Sequence, residues 1–200
     1  MKKHIIVLIL LILLTTLTSC DSKVDEKTWS LAFSKETLQN CKIVGTYGAN
    51  GIEDSERYTL KFDDNIVYSL EEEVYYDGGS FELDEEEYLY TDSDNVTWWY
   101  WYDTDERQWY KEIEENPSYS FLDDILTNIA HLYELFEYDE ENEYYKKVSE
   151  DQIIIVYFEK DKVSKIKRTY YTEDYSETVI IEFSDYGKIN LSLPSAKLYK

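Results

Sequence analysis

The chain has 200 residues, with 20 Lys+Arg against 43 Asp+Glu and a formal net charge of −23. So acidic a surface repels phosphate backbones and excludes nucleic acid as a partner. Aromatic residues make up 16% of the chain and Tyr alone contributes 21, a composition that excludes a disordered polymer and points to a packed core.

The chain opens Met1-Lys2-Lys3-His4, runs apolar from Ile5 to Leu14, and reaches Leu17-Thr18-Ser19-Cys20. A basic start, a short apolar run and small residues before a cut describe a secretory signal peptide. The run falls short of the roughly 20 residues that a membrane-spanning helix needs. Leu17-Thr-Ser-Cys20 resembles the lipobox of bacterial lipoproteins. The resemblance implies cleavage before Cys20 and diacylglyceryl (palmitate-type) modification of its sulfur, on the extracytoplasmic face of the cell membrane. Two acyl chains suffice for stable anchoring. The organisation expected is a signal peptide over 1–19, the lipidated Cys20 with a polar tether over 20–27, and one domain over 28–200. Loss of Lys2 and Lys3 takes 20 basic residues to 18 against 43 acidic, about −25 formally. That charge keeps the domain off anionic headgroups. After lipidation Cys41 is the one thiol left, so no internal disulfide is available. Its setting among Leu38, Ile43 and Val44 reads as a buried small hydrophobe.

Along the domain, Thr28–Asn40 reads as a short helix with Trp29, Ala32 and Phe33 on one face and Leu38 extending it. The period then changes to two. Strands are expected at Cys41–Tyr47, Arg57–Phe62, Asn65–Tyr76, Ser80–Leu83, Glu87–Thr91, Val96–Tyr102 and Gln108–Ile113. Asp77-Gly78-Gly79 is a strong hairpin turn. Pro117 breaks the series, and Ser118–Ser120 caps a helix expected to run to about Phe136. Its stripe comprises Leu122, Ile125, Leu126, Ile129, Leu132 or Tyr133, and Phe136. Strands resume at Tyr144–Val148, Gln152–Glu159, Lys162–Thr172, Ser176–Phe183 and Lys188–Leu193. Strand runs segregated from helices give the α+β class. Roughly ten antiparallel strands are expected to curl strongly into an incomplete barrel, with the N-terminal and central helices covering its open side.

The lipobox, the Trp29…Ala32-Phe33…Asn40 entry and the ending Ile180-Ile-Glu-Phe-Ser-Asp-Tyr-Gly-Lys-Ile-Asn-Leu-Ser-Leu-Pro194 together resemble small lipoproteins of low-GC Gram-positive bacteria. The ending is also similar to the closing hairpin of the LolA/LppX-type incomplete barrel. That resemblance implies a concave sheet that holds acyl chains or other apolar groups, and it brings no catalytic residues.

Val96-Thr-Trp-Trp-Tyr-Trp-Tyr102 is the most unusual stretch. On a strand Trp98, Tyr100 and Tyr102 face one way, and Trp99 and Trp101 the other. The expected ligand-binding set joins Trp98, Tyr100 and Tyr102 to Ile125, Ile129 and Phe136 of the helix stripe, around a lipid or other apolar ligand. Tyr75, Tyr76, Tyr88, Tyr90, Trp109 and Tyr110 extend the aromatic surface. The acidic runs lack the oxygen spacing, Gly turn and terminal Glu of a Ca²⁺ loop and read as a solvated face, so no metal or cofactor is expected. His131, the one histidine after the signal, has no second ligand beside it. Nucleophile, P-loop and dinucleotide motifs are absent, which argues against an enzyme. Two functions remain. One is a binding module for a lipid or apolar ligand. The other is a surface interaction lipoprotein with a core filled by its own side chains and a protein partner that the sequence does not identify.

Overall fold

The computed structural model describes residues 23–49, 56–74, 81–115 and 129–199. The signal peptide, Cys20, Tyr75, Tyr76, the Asp77-Gly-Gly79 turn, Ile125 and most of the expected central helix lie outside the described residues.

Among the described residues two short helices come first, α1 (Glu26–Ala32) and α2 (Lys35–Leu38). The single helix expected over Thr28–Asn40 is broken because Ser34 turns extended and caps a second helix, its hydroxyl accepting from the Thr37 amide at 3.3 Å. Asp25 caps α1 in the same way, accepting from Thr28 N at 2.8 Å. The folded body therefore begins inside the stretch read as tether. Val24 is already buried. Its amide donates to the Tyr145 hydroxyl at 2.7 Å, and its carbonyl accepts from Tyr133 at 3.2 Å and from Tyr145.

Twelve strands follow among the described residues: β1 (Lys42–Ala49), β2 (Glu56–Asp63), β3 (Ile66–Val74), β4 (Phe81–Thr91), β5 (Thr97–Asp103), β6 (Gln108–Ile113), β7 (Glu137–Asp139), β8 (Tyr144–Val148), β9 (Gln152–Glu159), β10 (Lys162–Tyr171), β11 (Ser176–Ser184) and β12 (Lys197–Leu198). They form one sheet in the order β12-β6-β5-β4-β3-β2-β1-β11-β10-β9-β8-β7. All pairings are antiparallel except β12 on β6. The described residues are mostly antiparallel sheet with short helices packed on one face, as the segregated strand runs lead one to expect. The barrel does not form: β12 and β7 are opposite edges, and the sheet is neither closed nor strongly curled. Strand number alone does not impose curvature, and a sheet of this width can stay open.

Three local expectations also change. The two strands expected at Ser80–Leu83 and Glu87–Thr91 are one strand, β4, with a register shift opposite Glu71/Glu72. That irregularity carries the acidic run 84–87 through the ladder without breaking it. At the end of the central segment Ile129 is helical, but the chain turns at Ala130 and makes a 3-10 turn at Tyr133–Leu135. The helix expected to reach Phe136 thus stops short, and β7 starts at Glu137. Lys188–Leu193 is no strand. The Asn40 side chain accepts from Ile189 N at 2.9 Å and donates to Ile189 O at 3.0 Å, and Asp63 takes the Leu191 amide at 2.6 Å. Side chains thus replace a ladder and lead the tail across the strand ends to β12, instead of closing a hairpin. Gly187, with φ +69°, makes the turn that begins it and donates to Asn40 O at 2.7 Å.

The core lies on one face of β1–β3 and β8–β11. Ile43, Phe62, Val156, Phe158, Val163, Ile166, Ile181 and Phe183 meet Trp29, Ala32, Phe33 and Leu38 from the helices. Alternation along each strand sends the remaining side chains to the other face. Strands β4–β6 contribute nothing to this cluster among the described residues. They form a wing beyond it.

Candidate functional site

The wing is built by cross-strand pairing of aromatic residues. Tyr100 pairs with Tyr88 on β4, which pairs with Tyr68 on β3. Tyr102 pairs with Trp109 on β6, and Trp98 with Tyr90 on β4. These side chains share the face opposite the helices. Their rings make a continuous row: Tyr68–Tyr88 at 5.0 Å, Tyr88–Trp109 at 5.3 Å and Trp109–Tyr102 at 5.4 Å between centroids. The first two contacts are edge-to-face, which suits the ring quadrupoles. Lys61 stands 4.6 Å over Tyr68, and Lys111 stands 5.0 Å over Trp98 and 5.5 Å over Tyr100. Tyr100 is 5% exposed, the most buried side chain of the wing among the described residues.

The other face of the wing carries Trp99 and Trp101, 4.6 Å apart, with Trp101 against Tyr110 at 5.9 Å and Tyr199 at 5.2 Å. The Tyr199 amide donates to Lys111 O at 2.9 Å, so the C-terminal tail ends on this cluster. Trp99 Nε1 donates to Glu87 Oε2 at 2.6 Å. Burial pushes the Glu87 carboxyl above its ordinary range. The Trp99 hydrogen bond opposes that shift, while Glu85, Glu71 and Glu114 add to it. At the hairpin tip, Asp92 accepts from Trp98 Nε1 at 3.1 Å, Val96 N at 3.0 Å and Asp94 N at 2.9 Å, which hold its carboxyl below the usual range. Between β2 and β3, Arg57 makes a bidentate pair with Glu72 at 2.8 and 2.7 Å.

The alternation read from the sequence places Trp98, Tyr100 and Tyr102 together. It does not bring them to Ile129 and Phe136. Those two are buried in the core on the opposite face, where Phe136 lies 4.9 Å from Trp29 and the Ile129 carbonyl accepts from Trp29 Nε1 at 3.3 Å. The sheet itself separates Trp98, Tyr100 and Tyr102 from Ile129 and Phe136. Tyr88, Tyr90 and Trp109 lie on the face of Tyr100, and Tyr110 on that of Trp101.

The space between sheet and helices is occupied by Trp29. Its ring is fully buried and touches Phe33, Tyr133, Phe136, Tyr145 and Phe158 at 4.9–5.6 Å. The periodicity of α1 marks Trp29 as a core residue. The clamp of Tyr145 and Tyr133 on Val24 carries no such signal, because a hydroxyl meeting a backbone more than a hundred residues away leaves no trace in spacing. Cys41 is buried and donates its thiol hydrogen to Leu38 O at 3.2 Å, and burial pushes it up to about 12. A thiol so held is not a thiolate nucleophile at neutral pH. His131 is exposed. Among the described residues no group of three or more His, Cys, Asp or Glu is placed to hold a metal ion. No protein-family model matches the chain, and no curated protein matches it.

Proposed function

We propose that this chain is an acylated lipoprotein of the extracytoplasmic face that acts as a non-catalytic interaction module. Its core is filled by its own side chains, and its partner meets the surface, where the aromatic wing and the acidic charge are. The observation that carries this reading is Trp29. A fully buried indole ringed by five aromatic side chains leaves an acyl chain nothing to fill at that position. The split of Trp98, Tyr100 and Tyr102 from Ile129 and Phe136 also weighs against a lipid held between sheet and helices. The anchoring part of the proposal rests on Leu17-Thr-Ser-Cys20. It is tested by growing the expressing cells with a clickable palmitate analogue. The wild-type chain takes up the label and fractionates with the membrane, and Cys20→Ala does neither. Label on Cys20→Ala, or none on the wild type, overturns the anchor.

A further inference from the structure

We propose that the domain lies directly on the lipid surface that anchors it, with Leu31 and Leu135 against the bilayer and the β4–β6 wing carried away from it. The inference rests on acylation of Cys20. It is carried by the length of chain between that residue and the first fixed point of the fold.

Val24 is that fixed point. It is 6% exposed, and its amide and carbonyl are both held by tyrosine hydroxyls more than a hundred residues away in the chain. From Cys20 to Val24 there are four residue steps, which span at most about 14 Å when fully extended. A diacylated cysteine sits at headgroup level. The surface around Val24, Tyr133 and Tyr145 is therefore held close to the bilayer and cannot swing free on a long tether.

That surface has the chemistry for the position. Helix α1 begins two residues after Val24 and packs on the 3-10 turn, with Trp29 5.6 Å from Tyr133. On the outer side of these two elements Leu31 is 51% and Leu135 is 56% exposed. Large apolar side chains so exposed beside a lipid attachment point match an interfacial contact. The charge agrees. Residues 23–38 carry Lys23, Lys27 and Lys35 against Asp25, Glu26 and Glu36, a balanced set in a chain that is otherwise strongly acidic. Glu134 is the one acid within the 3-10 turn. Residues 23–38 are thus neutral overall and add no net repulsion from anionic headgroups, while Glu140 of the neighbouring acidic turn faces Lys23 at 3.9 Å.

The geometry also orients the wing. Tyr145 lies on β8, and β5 is eight strands away in the sheet order. At 4.7–4.9 Å per strand this is about 38 Å along the sheet. A domain seated on Leu31 and Leu135 holds its aromatic wing at the end farther from the anchor, toward partners outside the membrane.

The test uses the acylated full chain in phosphatidylcholine–phosphatidylglycerol vesicles. Nitroxide labels are placed at Leu31→Cys, Leu135→Cys and, in the β5–β6 turn, Asp105→Cys; buried Cys41 does not compete for label. Collision rates are measured with membrane-dissolved oxygen and with an aqueous nickel chelate. The proposal expects the oxygen-to-nickel ratio at positions 31 and 135 to exceed that at 105 severalfold. Equal ratios at all three positions overturn it. Mass spectrometry of the N-terminal peptide from the same sample separates the causes. An acylated Cys20 with freely collided labels overturns the docking alone, and an unmodified Cys20 overturns the anchor and the docking with it.

Discussion

Replacing Trp29 by alanine tests whether the space between sheet and helices is filled. The indole is fully buried, touches five aromatic rings and donates to the Ile129 carbonyl. Truncating a buried Trp to Ala costs about 3–5 kcal/mol, transfer and cavity together. The Ile129 carbonyl loses its indole donor as well, which places the variant in the upper half of that range, at about 4–5 kcal/mol. Against a total of about 5–15 kcal/mol, this removes a large share of the stability. For a domain of this size it corresponds to a fall in Tm of roughly 8–20 °C. Urea unfolding followed by far-UV circular dichroism gives the free energy, and calorimetry gives Tm. A loss below about 1 kcal/mol would show that the ring is not the centre of the core and that the helices are free to part from the sheet. A ligand series sharpens the result. A vacated apolar cavity binds small apolar molecules. Benzene at saturation is therefore expected to raise the Tm of Trp29→Ala and leave that of the wild type unchanged.

Three further outcomes follow from the same geometry. Tyr145→Phe strands the buried Val24 amide and is expected to cost about 1–3 kcal/mol, with limited proteolysis now cutting near Val24. Burial pushes the Tyr145 hydroxyl up to about 12. Its contribution is therefore complete below the ordinary tyrosine value and is lost as pH rises through about 12, which alkaline unfolding of wild type and variant compares. The Glu87 carboxyl is raised by burial, so its share of stability is complete below the ordinary carboxylate range and is lost as pH rises through the raised value. Glu87→Gln keeps an acceptor for Trp99; it is expected to be more stable than wild type at neutral pH and to remove this pH dependence, read from urea midpoints across the acid range. Cys41 is expected to react with a thiol reagent only as fast as the core opens, so that its labelling rate rises in parallel with destabilisation by Trp29→Ala.

Much of the fold is legible in the sequence wherever one periodicity decides. The strands β8 and β9 fall where the period-two runs place them. Trp29, Ala32, Phe33 and Leu38 are buried as their spacing requires, and the opposite orientation of Trp98 and Trp99 follows from alternation alone. The errors arise where a remote part of the chain decides. Lys188–Leu193 has the alternation of a strand, but Asn40 and Asp63 take its amides first. Consecutive acids disfavour a strand, so the run Asp84–Glu87 reads as a break. Yet β3 pairs on both sides of it, and the register shift absorbs Asp84 without ending the ladder. Strand number bounds the size of a sheet and does not fix its curvature, so the expected curl does not follow from the number of strands. Trp98, Tyr100 and Tyr102 lie across the sheet from Ile129 and Phe136 because periodicity states only which residues share a face of one element. It does not state which side of the sheet that element will cover.

Native mass spectrometry of the acylated chain, extracted from its own membrane in a mild detergent, tests the filled core most directly. The account predicts the mass of the chain from Cys20 with its covalent acyl groups and nothing further, unchanged after incubation with phospholipids and fatty acids. A second, non-covalent lipid mass that is lost on denaturation would contradict it and return the interior to a carrier role.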